Sequence, residues 1–104
     1  MELARVCGNV VASARDGGLG SHRLLLLERV PAADPGGQAD GGSGGSAAYV
    51  AIDLVGAGVG EVVLVTRGSA ARVASGTHAV PTDVAVIAIV DTVHFDGRAT
   101  FVKR

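Results

Sequence analysis

The sequence predicts an all-β fold, because short runs rich in valine or leucine follow one another and turn residues separate them. Such runs occupy residues 3–13, 22–30, 49–54, 62–66, 83–91 and 94–102. Five or six short strands, one brief helix between the fourth and the fifth, and no internal repeat are typical of a small closed five-stranded barrel similar to the OB-fold, with an extra C-terminal hairpin or strand. Closure of the barrel would also remove the edges that such strands otherwise expose.

The first two runs are predicted to be strands. Residues 3–13 carry Val6, Val10 and Val11, and Gly8 lies among them as the site of a bulge or a barrel corner. Residues 22–30 contain four consecutive leucines, which favour a helix, whereas the flanking turn residues favour a short buried strand. We predict a strand there.

A glycine cluster at residues 55–61 separates the next two strands. A dinucleotide fingerprint needs two residues between its second and third glycines and a helix after them. Here only Val59 lies between Gly58 and Gly60, and a strand follows. The cluster therefore predicts a tight hairpin turn; the alternative is a loop whose bare backbone is needed against a neighbouring subunit or a small ligand.

Residues 31–47 form a long glycine-rich insertion without a large apolar side chain. This composition resembles that of a linker, but the segment before it is too short to be a domain. We therefore predict a flexible surface loop within a single domain that spans residues 1–104.

The rest of the chain predicts a helix, a strand and a hairpin in that order. Ser69 can cap a short helix that exits at Gly76. Pro81 then restarts an extended segment, and residues 83–91 alternate large and small apolar residues, as a buried strand does. Asp96 and Gly97 form a strong hairpin signal before the final strand.

Composition limits the classes of partner. Of the 104 residues, 48% are hydrophobic and only 18% are charged, which indicates that copies of the chain or another protein cover part of its surface. A formal net charge of -1 and an aromatic content of 3% oppose nucleic-acid binding, which needs basic residues and exposed rings. We expect no nucleic-acid partner.

The sequence also opposes a membrane partner. No apolar run approaches the roughly 18 residues that span a bilayer, and residues 1–5 lack the features of a signal peptide. Cys7 is the only cysteine, so neither an intrachain disulfide nor a cysteine-based zinc cluster can form. We expect a cytoplasmic protein.

A search for catalytic groups finds no convergent set. Asp53, Asp83 and Asp91 lie at or near predicted strand ends, where aspartate more often accepts turn hydrogen bonds or joins an ion pair than acts as an acid or base. The histidines have no short metal-ligand spacing and are expected on the surface: His22, His78 and His94.

The two nucleophile candidates are also weak. Ser69 lacks the flanking glycines of a nucleophile elbow, since Arg67 and Ala71 stand there. Cys7 is predicted to be a packed thiol rather than a reactive one, because burial without a base raises the pKa of a thiol. We therefore predict a protein that is not an enzyme and that holds no cofactor and no metal.

Two arginines are the most informative charges. Arg67 and Arg72 lie five residues apart around the predicted helix. In a chain so poor in charge, we expect them to reach Asp53, Glu61 or Asp91, either within the subunit or across an interface.

Four blocks of the sequence then join these observations. They are residues 4–8; Asp53 with residues 55–58 and 60–61; residues 67–72; and Pro81 with Asp83 and residues 88–93. Together they cover nearly the whole chain and resemble the bacterial microcompartment vertex protein family of the EutN/CcmL type. The resemblance implies an OB-like barrel that assembles as a homo-pentamer and caps the vertices of a polyhedral shell around enzymes. It also implies contacts with hexameric and trimeric shell proteins of the same microcompartment.

A ring closes through a heterologous interface, in which one patch of a subunit fits a different patch of the next. Small residues let backbones approach closely at such a seam or at the central axis. We expect the seam or axis to contain Gly56, Ala57, Gly58, Gly60, Glu61, Arg67, Gly68, Ser69, Ala70, Ala71 and Arg72. Ala57→Trp should then abolish the ring and leave a folded barrel. The alternative function is an OB-type barrel that binds nucleic acid or another ligand.

Overall fold

A computed structural model describes residues 1–13, 15–20, 22–37, 47–74 and 82–104. Four of the sequence predictions fall on other residues and lie outside this description. They concern the helix exit at Gly76, His78, the strand restart at Pro81, and residues 38–46 of the glycine-rich insertion.

Seven strands, one α-helix and one short 3-10 helix make up the described chain. The strands are β1 (Glu2–Val10), β2 (Arg23–Arg29), β3 (Tyr49–Asp53), β4 (Val62–Arg67), β5 (Val84–Ile89), β6 (Thr92–Phe95) and β7 (Arg98–Val102). The helix α1 spans Ser69–Ala74, and the 3-10 helix spans Gly17–Leu19. The predicted order of strands, with the helix between the fourth and the fifth, is confirmed.

The first five strands close into a barrel in the order β1-β2-β3-β5-β4. Neighbours are antiparallel except β3 and β5, which run parallel over the short register Ile52 to Ala85 and Asp53 to Val86. Closure is completed where β1 pairs with β4, with Glu2 opposite Val65. The prediction of a closed five-stranded barrel with an additional C-terminal hairpin is confirmed.

The predicted hairpin between β3 and β4 is wrong. Strand β3 pairs with β2 and β5, whereas β4 pairs with β1 and β5. Residues 54–61 therefore cross from one strand to another that is not its neighbour. The physical reason is the side chain of Asp53 at the end of β3. It accepts hydrogen bonds from the backbone N–H groups of the residues that follow it, Val55 to Ala57, and so bends the chain away from the direction of β3.

The core follows the two-residue period of the strands. Leu25 and Leu27 of the leucine run are fully buried in the main cluster, and Leu24 packs on a second cluster that contains Ile52 and Ala71. The four leucines thus occupy both faces of β2. Burial on both faces explains how a leucine run forms a strand against its helical preference.

A bulge interrupts the pairing of β1 with β2. Val6 lies opposite Leu27 and Gly8 opposite Leu26, so Cys7 is the extra residue. The predicted bulge is confirmed, but the prediction of a packed thiol is wrong, since Cys7 is exposed and its Sγ donates to the Leu26 carbonyl at 3.3 Å. Partial desolvation against β2, and secondarily the Glu28 carboxylate, still raise the pKa of this thiol.

The described part of the glycine-rich insertion, residues 31–37, makes specific contacts. The N–H of Gly37 donates to the Asp34 carbonyl, Arg5 donates to the Gly37 carbonyl, and Thr100 donates to the Ala32 carbonyl. A Cβ on Gly37 would lie 2.0 Å from a carboxylate oxygen of Asp34, so a larger residue there would require the exposed Asp34 side chain to move. The flexibility of residues 31–47 stays a prediction.

The C-terminal hairpin forms as its sequence predicts. Asp96 and Gly97 both have positive φ, at 54° and 79°, and join β6 to β7 in a two-residue turn. Turns of this type match the right-handed twist of the flanking strands. The hairpin forms a separate two-stranded sheet outside the barrel.

Candidate subunit interface

The predicted interface residues fall on two segments, one before β4 and one from its last residue into α1. One is the connection at residues 54–61; the other runs from the end of β4 into α1, at residues 67–72. Leu54, at the start of the first segment, and Ala71 of the second belong to the same apolar cluster with Ile52 and Ala85. The two segments therefore approach each other at Leu54 and Ala71, whereas Glu61 and Arg67 lie at opposite ends of β4.

Asp53 sets the conformation of the first segment. Its carboxylate accepts hydrogen bonds from the N–H groups of Val55 at 3.1 Å and Gly56 at 3.0 Å through Oδ1, and from that of Ala57 at 3.1 Å through Oδ2. Arg23 adds an ion pair at 3.5 Å. The side chain of Asp53 is only 1% exposed, and a buried carboxylate requires such partners. The expectation that Asp53 is a turn acceptor and ion-pair partner is confirmed.

Two glycines of this segment are required by the backbone. Gly56 and Gly60 have φ values of 80° and 93°, in a region that side chains other than glycine rarely adopt. Apart from the adjoining residues, no atom in the described part of the subunit lies within 4 Å of a Cβ built on either glycine. Within the subunit these positions are therefore open, and their surface is accessible to a neighbouring chain. The N–H of Gly60 also donates to the Val6 carbonyl at 2.8 Å, which pins the end of the segment to β1.

Ala57 and Ala71 belong to the interior of the subunit. Both are fully buried, Ala57 in the main core cluster and Ala71 in the second cluster. Ala57 points inward between two glycines whose conformations turn the chain on either side of it. A tryptophan at position 57 would break the barrel itself, so Ala57→Trp cannot isolate the ring contact that it was designed to test.

The other nine predicted interface residues remain at least partly accessible. Six are exposed and three are half-buried: Gly56, Gly60, Arg67, Gly68, Ser69 and Ala70 in the first group, and Gly58, Glu61 and Arg72 in the second. The helix begins at Ser69 itself, directly after Gly68, which has a φ of 68°.

Sequence reasoning missed two exposed apolar side chains in the same region. Val59 is 70% exposed and Val73 is 60% exposed. A signal for Val73 existed, because a residue two positions after the buried Ala71 lies on the opposite face of a helix. For Val59, in an irregular segment, no periodicity indicated the outward direction. Large apolar groups in water are an observation that favours an interface here.

Arg67 makes its contacts within the subunit. Its Nε and Nη2 donate to the two carboxylate oxygens of Glu2, each at 3.0 Å, and its guanidinium lies 4.5 Å from the ring centroid of Tyr49. The partner is therefore none of the three carboxylates that the sequence suggested. Glu2 was missed because only the pairing of β1 with β4 brings the N-terminus opposite the end of β4.

The same contacts shift the ionisation of this cluster. The hydrogen bond from Arg67 holds the pKa of Glu2 below its ordinary value, and Glu2 in turn raises the pKa of Arg67. Tyr49 donates its hydroxyl to Glu2, and burial together with that carboxylate raises the pKa of the Tyr49 phenol. The cluster is thus charged and fully paired at neutral pH.

Glu61 connects the first segment to the C-terminus. One carboxylate oxygen accepts from the N–H of Gly58 at 2.7 Å, and the other pairs with Nζ of Lys103 at 2.7 Å. The ammonium of Lys103, and then the Gly58 amide, lower the pKa of Glu61. The exit of the C-terminal hairpin is therefore tied to the glycine segment by a single side chain.

Groups for metal binding do not converge in the residues that the structure describes, where no three His, Cys, Asp or Glu side chains form a ligand set. His22 is half-buried and His94 is exposed. Across the same described ranges, no helix has the length and apolar character needed to cross a membrane.

Comparison with known proteins gives consistent matches over the chain. The family described as ethanolamine utilisation protein EutN/carboxysome matches residues 1–91. The bacterial microcompartment shell vertex protein EutN of Escherichia coli (strain K12) is 43% identical over 103 residues, which cover 99% of this chain and 100% of that protein.

Solved structures agree with the sequence matches. A structure of an ethanolamine utilization protein, EutN, is 40% identical, with a TM-score of 0.84 and complete coverage of both chains. The GrpN pentameric microcompartment shell protein from Rhodospirillum rubrum is 36% identical, with a TM-score of 0.73 over 91% of this chain and 98% of that one.

Proposed function

We propose, because the chain belongs to the EutN/CcmL family, that it is a structural vertex protein of a bacterial microcompartment shell and works as a ring of five copies. The observation that carries the proposal is the similarity, over nine-tenths of the chain, to a pentameric shell protein. The similarity to a shell vertex protein extends over 99% of the chain. In this role the protein closes a shell rather than transforming a substrate, and it needs no cofactor.

The surface of the subunit supports a ring. A cyclic assembly needs two different complementary patches, and at least one of them must bury apolar area. The nine accessible interface residues, together with Val59 and Val73, supply small, apolar and charged groups on the subunit surface. We assign them to the seam between neighbouring subunits. Arg67 is engaged with Glu2 within the subunit. We keep an arginine contact across the seam, by Arg67 or Arg72, as part of the proposal.

The ring itself is tested by native mass spectrometry of the purified full chain. A dominant species near five times 10.3 kDa is the expected result. A monomer that persists at high protein concentration and low salt would overturn the pentamer. It would also return attention to the alternative of an OB-type barrel that binds nucleic acid or another ligand.

The seam is tested by a pair of matched alanine substitutions. Ala70 and Ala99 are both exposed, the first on α1 in the proposed seam and the second on the hairpin. Ala70→Trp should leave the barrel folded by circular dichroism and shift the mass from ring to monomer, whereas Ala99→Trp should retain the ring. An unaltered ring in Ala70→Trp would remove α1 from the seam without affecting the pentamer proposal.

The proposed partners are the flat shell proteins, hexameric and trimeric, that surround a vertex, and the proposed location is the microcompartment shell in the cytoplasm. Co-expression with such shell proteins tests this step. Closed polyhedral shells should form with the full chain present. Shells that close equally well without it, or that exclude it, would contradict the vertex role even if the ring is correct.

A further inference from the structure

A cleft of about 210 Å³ opens at the end of the β1–β2 pair. The last paired residues are Val10 and Leu24, beyond which the two chains diverge. The cleft lies between the continuation of β1 and the residues that precede β2. Its polar lining consists of Asn9, Arg15, His22 and Arg23.

The turn that carries two of these residues is fixed by its own hydrogen bonds. The Asp16 side chain accepts from Gly18 N–H at 2.7 Å, and Asp16 and Leu19 carbonyls accept from Leu19 and His22 N–H groups. Arg15 then donates through Nη2 to the His22 carbonyl at 2.7 Å, across the base of the turn. Arg15 is therefore held at the cleft before any ligand arrives, which reduces the entropy cost of binding.

Arg23 supplies a second guanidinium to the cleft, and the contacts described for it use only its Nη1 atom. Its Nη1 contacts Asp53 at 3.5 Å and the Ala57 carbonyl at 3.3 Å. The Asp53 carboxylate also accepts from three backbone N–H groups, and its ion pair with Arg23 is long, so it neutralises the Arg23 charge only in part. More than half of the Arg23 side chain is exposed.

The electrostatic balance of the cleft is one-sided. Among the described residues that line it there are two arginines and no aspartate or glutamate. Asp16 caps its own turn, and Asp53, which is buried, compensates the charge of Arg23 in part through the 3.5 Å ion pair. A chain with ten acidic and nine basic residues thus gathers two guanidinium groups at one small cleft.

We infer that this cleft binds a small oxyanion of the phosphate type. Guanidinium groups present parallel N–H donors that match the oxygens of phosphate, and two of them can share one anion. Asn9 and His22 can supply further donors to the same ligand. The inference goes beyond the proposed shell function and does not depend on it, because the cleft lies within one subunit.

Equilibrium dialysis of the full chain against radiolabelled inorganic phosphate, at fixed ionic strength in chloride, tests the site. We expect saturable binding of one phosphate per chain. Arg15→Gln should weaken the affinity by about tenfold, since a charged hydrogen-bond pair contributes on the order of one decade in Kd. Arg98→Gln, which removes an equal charge from an exposed hairpin position, should stay within about twofold of the unaltered protein.

Arg23→Gln is a second variant at the cleft, and it carries a folding risk because Arg23 also contacts Asp53. Arg15 is exposed and makes no such core contact, so the test stands on Arg15→Gln even if Arg23→Gln unfolds. Competition by glycerol phosphate would extend the site to phosphate monoesters, whereas its failure would restrict the ligand to the free anion. Absence of saturable binding, full binding by Arg15→Gln, or equal loss in Arg98→Gln would each overturn the inference.

Discussion

The barrel and the C-terminal hairpin are both built from antiparallel β-strands, yet they are stabilised in different ways. Each barrel strand has a neighbour on both sides, and fully buried side chains such as Leu25, Leu27 and Val65 fill its interior. Within the described residues, β6 and β7 pair with each other and with no other strand. Phe95 and Val102 remain 46% and 54% exposed on the hairpin.

The difference shows that closure of the barrel, rather than the composition of the strands, decides which region contributes most to the free energy of unfolding. A lone two-stranded hairpin is marginal in water and needs packing or tethers. Here the tethers are the Glu61 to Lys103 ion pair, the Lys103 N–H to the Asp91 carbonyl, and the Thr100 hydroxyl to the Ala32 carbonyl. The hairpin should therefore respond to loss of single polar contacts, and the barrel to loss of apolar volume.

The largest expected effect comes from truncation in the barrel core. Leu27→Ala should lower the free energy of unfolding by about 2–5 kcal/mol, because it leaves a cavity where a fully buried side chain stood. Phe95→Ala on the hairpin is the matched control and should change it by about 0.5 kcal/mol or less. Urea unfolding of both variants gives the comparison. Equal losses would mean that the hairpin shares the stability of the barrel.

Removal of the buried charge at Asp53 should have the next largest effect. Asp53→Asn keeps the shape but replaces one acceptor oxygen by a donor that faces backbone N–H groups, which should cost about 1–3 kcal/mol. Faster hydrogen exchange at the Ala57 amide should accompany the loss. Asp83→Asn, at an exposed position after β4, is the control and should leave that amide protected. An unchanged Ala57 amide in Asp53→Asn would contradict the anchoring role.

A smaller effect concerns acid stability at the barrel rim. Because Arg67 holds the pKa of folded Glu2 below its ordinary value of 4.5, the pair contributes stability that is fully present above that value and is lost as the pH falls through the lower folded pKa. Glu2→Gln should remove up to about 1 kcal/mol at pH 7, reduced by the exposure of Arg67, and should flatten the acid limb of a stability-against-pH curve. A variant curve with the same acid limb would show that other carboxylates cause it.

The smallest expected effect is that of Lys103→Gln, which should change the hairpin and leave the barrel unchanged. Lys103→Gln removes the ion pair with Glu61 and should increase hydrogen exchange in β6 and β7 without changing that of β1 or β4. In the described structure, Glu61 is the residue next to the barrel that Lys103 contacts. The midpoint temperature of thermal unfolding of the barrel should therefore stay the same. A lowered midpoint for the whole chain would mean that the two regions unfold together.

Local patterns predicted most of the fold. The leucine run was placed in a strand by its flanking turns, and Asp96 with Gly97 identified the hairpin. The tertiary route of residues 54–61 was not predictable in this way, since a glycine cluster between strands fits a turn and a crossover equally well. The deciding factor was the Asp53 carboxylate, which became informative only once its three amide partners were known.

The candidate interface stays a prediction, and the sequence assigned it to segments rather than to individual side chains. Sequence reasoning grouped residues 55–61 with 67–72, and Leu54, directly before the first segment, shares an apolar cluster with Ala71 of the second. It gave no direction to each side chain, so the buried Ala57 and Ala71 were included and the exposed Val59 and Val73 were left out. Pairing across 65 residues, as between Glu2 and Arg67, leaves no local trace.

The pairing of β1 with β4 also has a kinetic consequence. The first strand to be synthesised closes the barrel against a strand that begins sixty residues later, at Val62. Until that strand emerges, β1 can form a ladder with β2 but its other edge stays open. Folding should therefore be dominated by non-local contacts and run on a timescale of milliseconds to seconds. Newly made chains would pass through a partly paired state in which assembly with other subunits has not yet become possible.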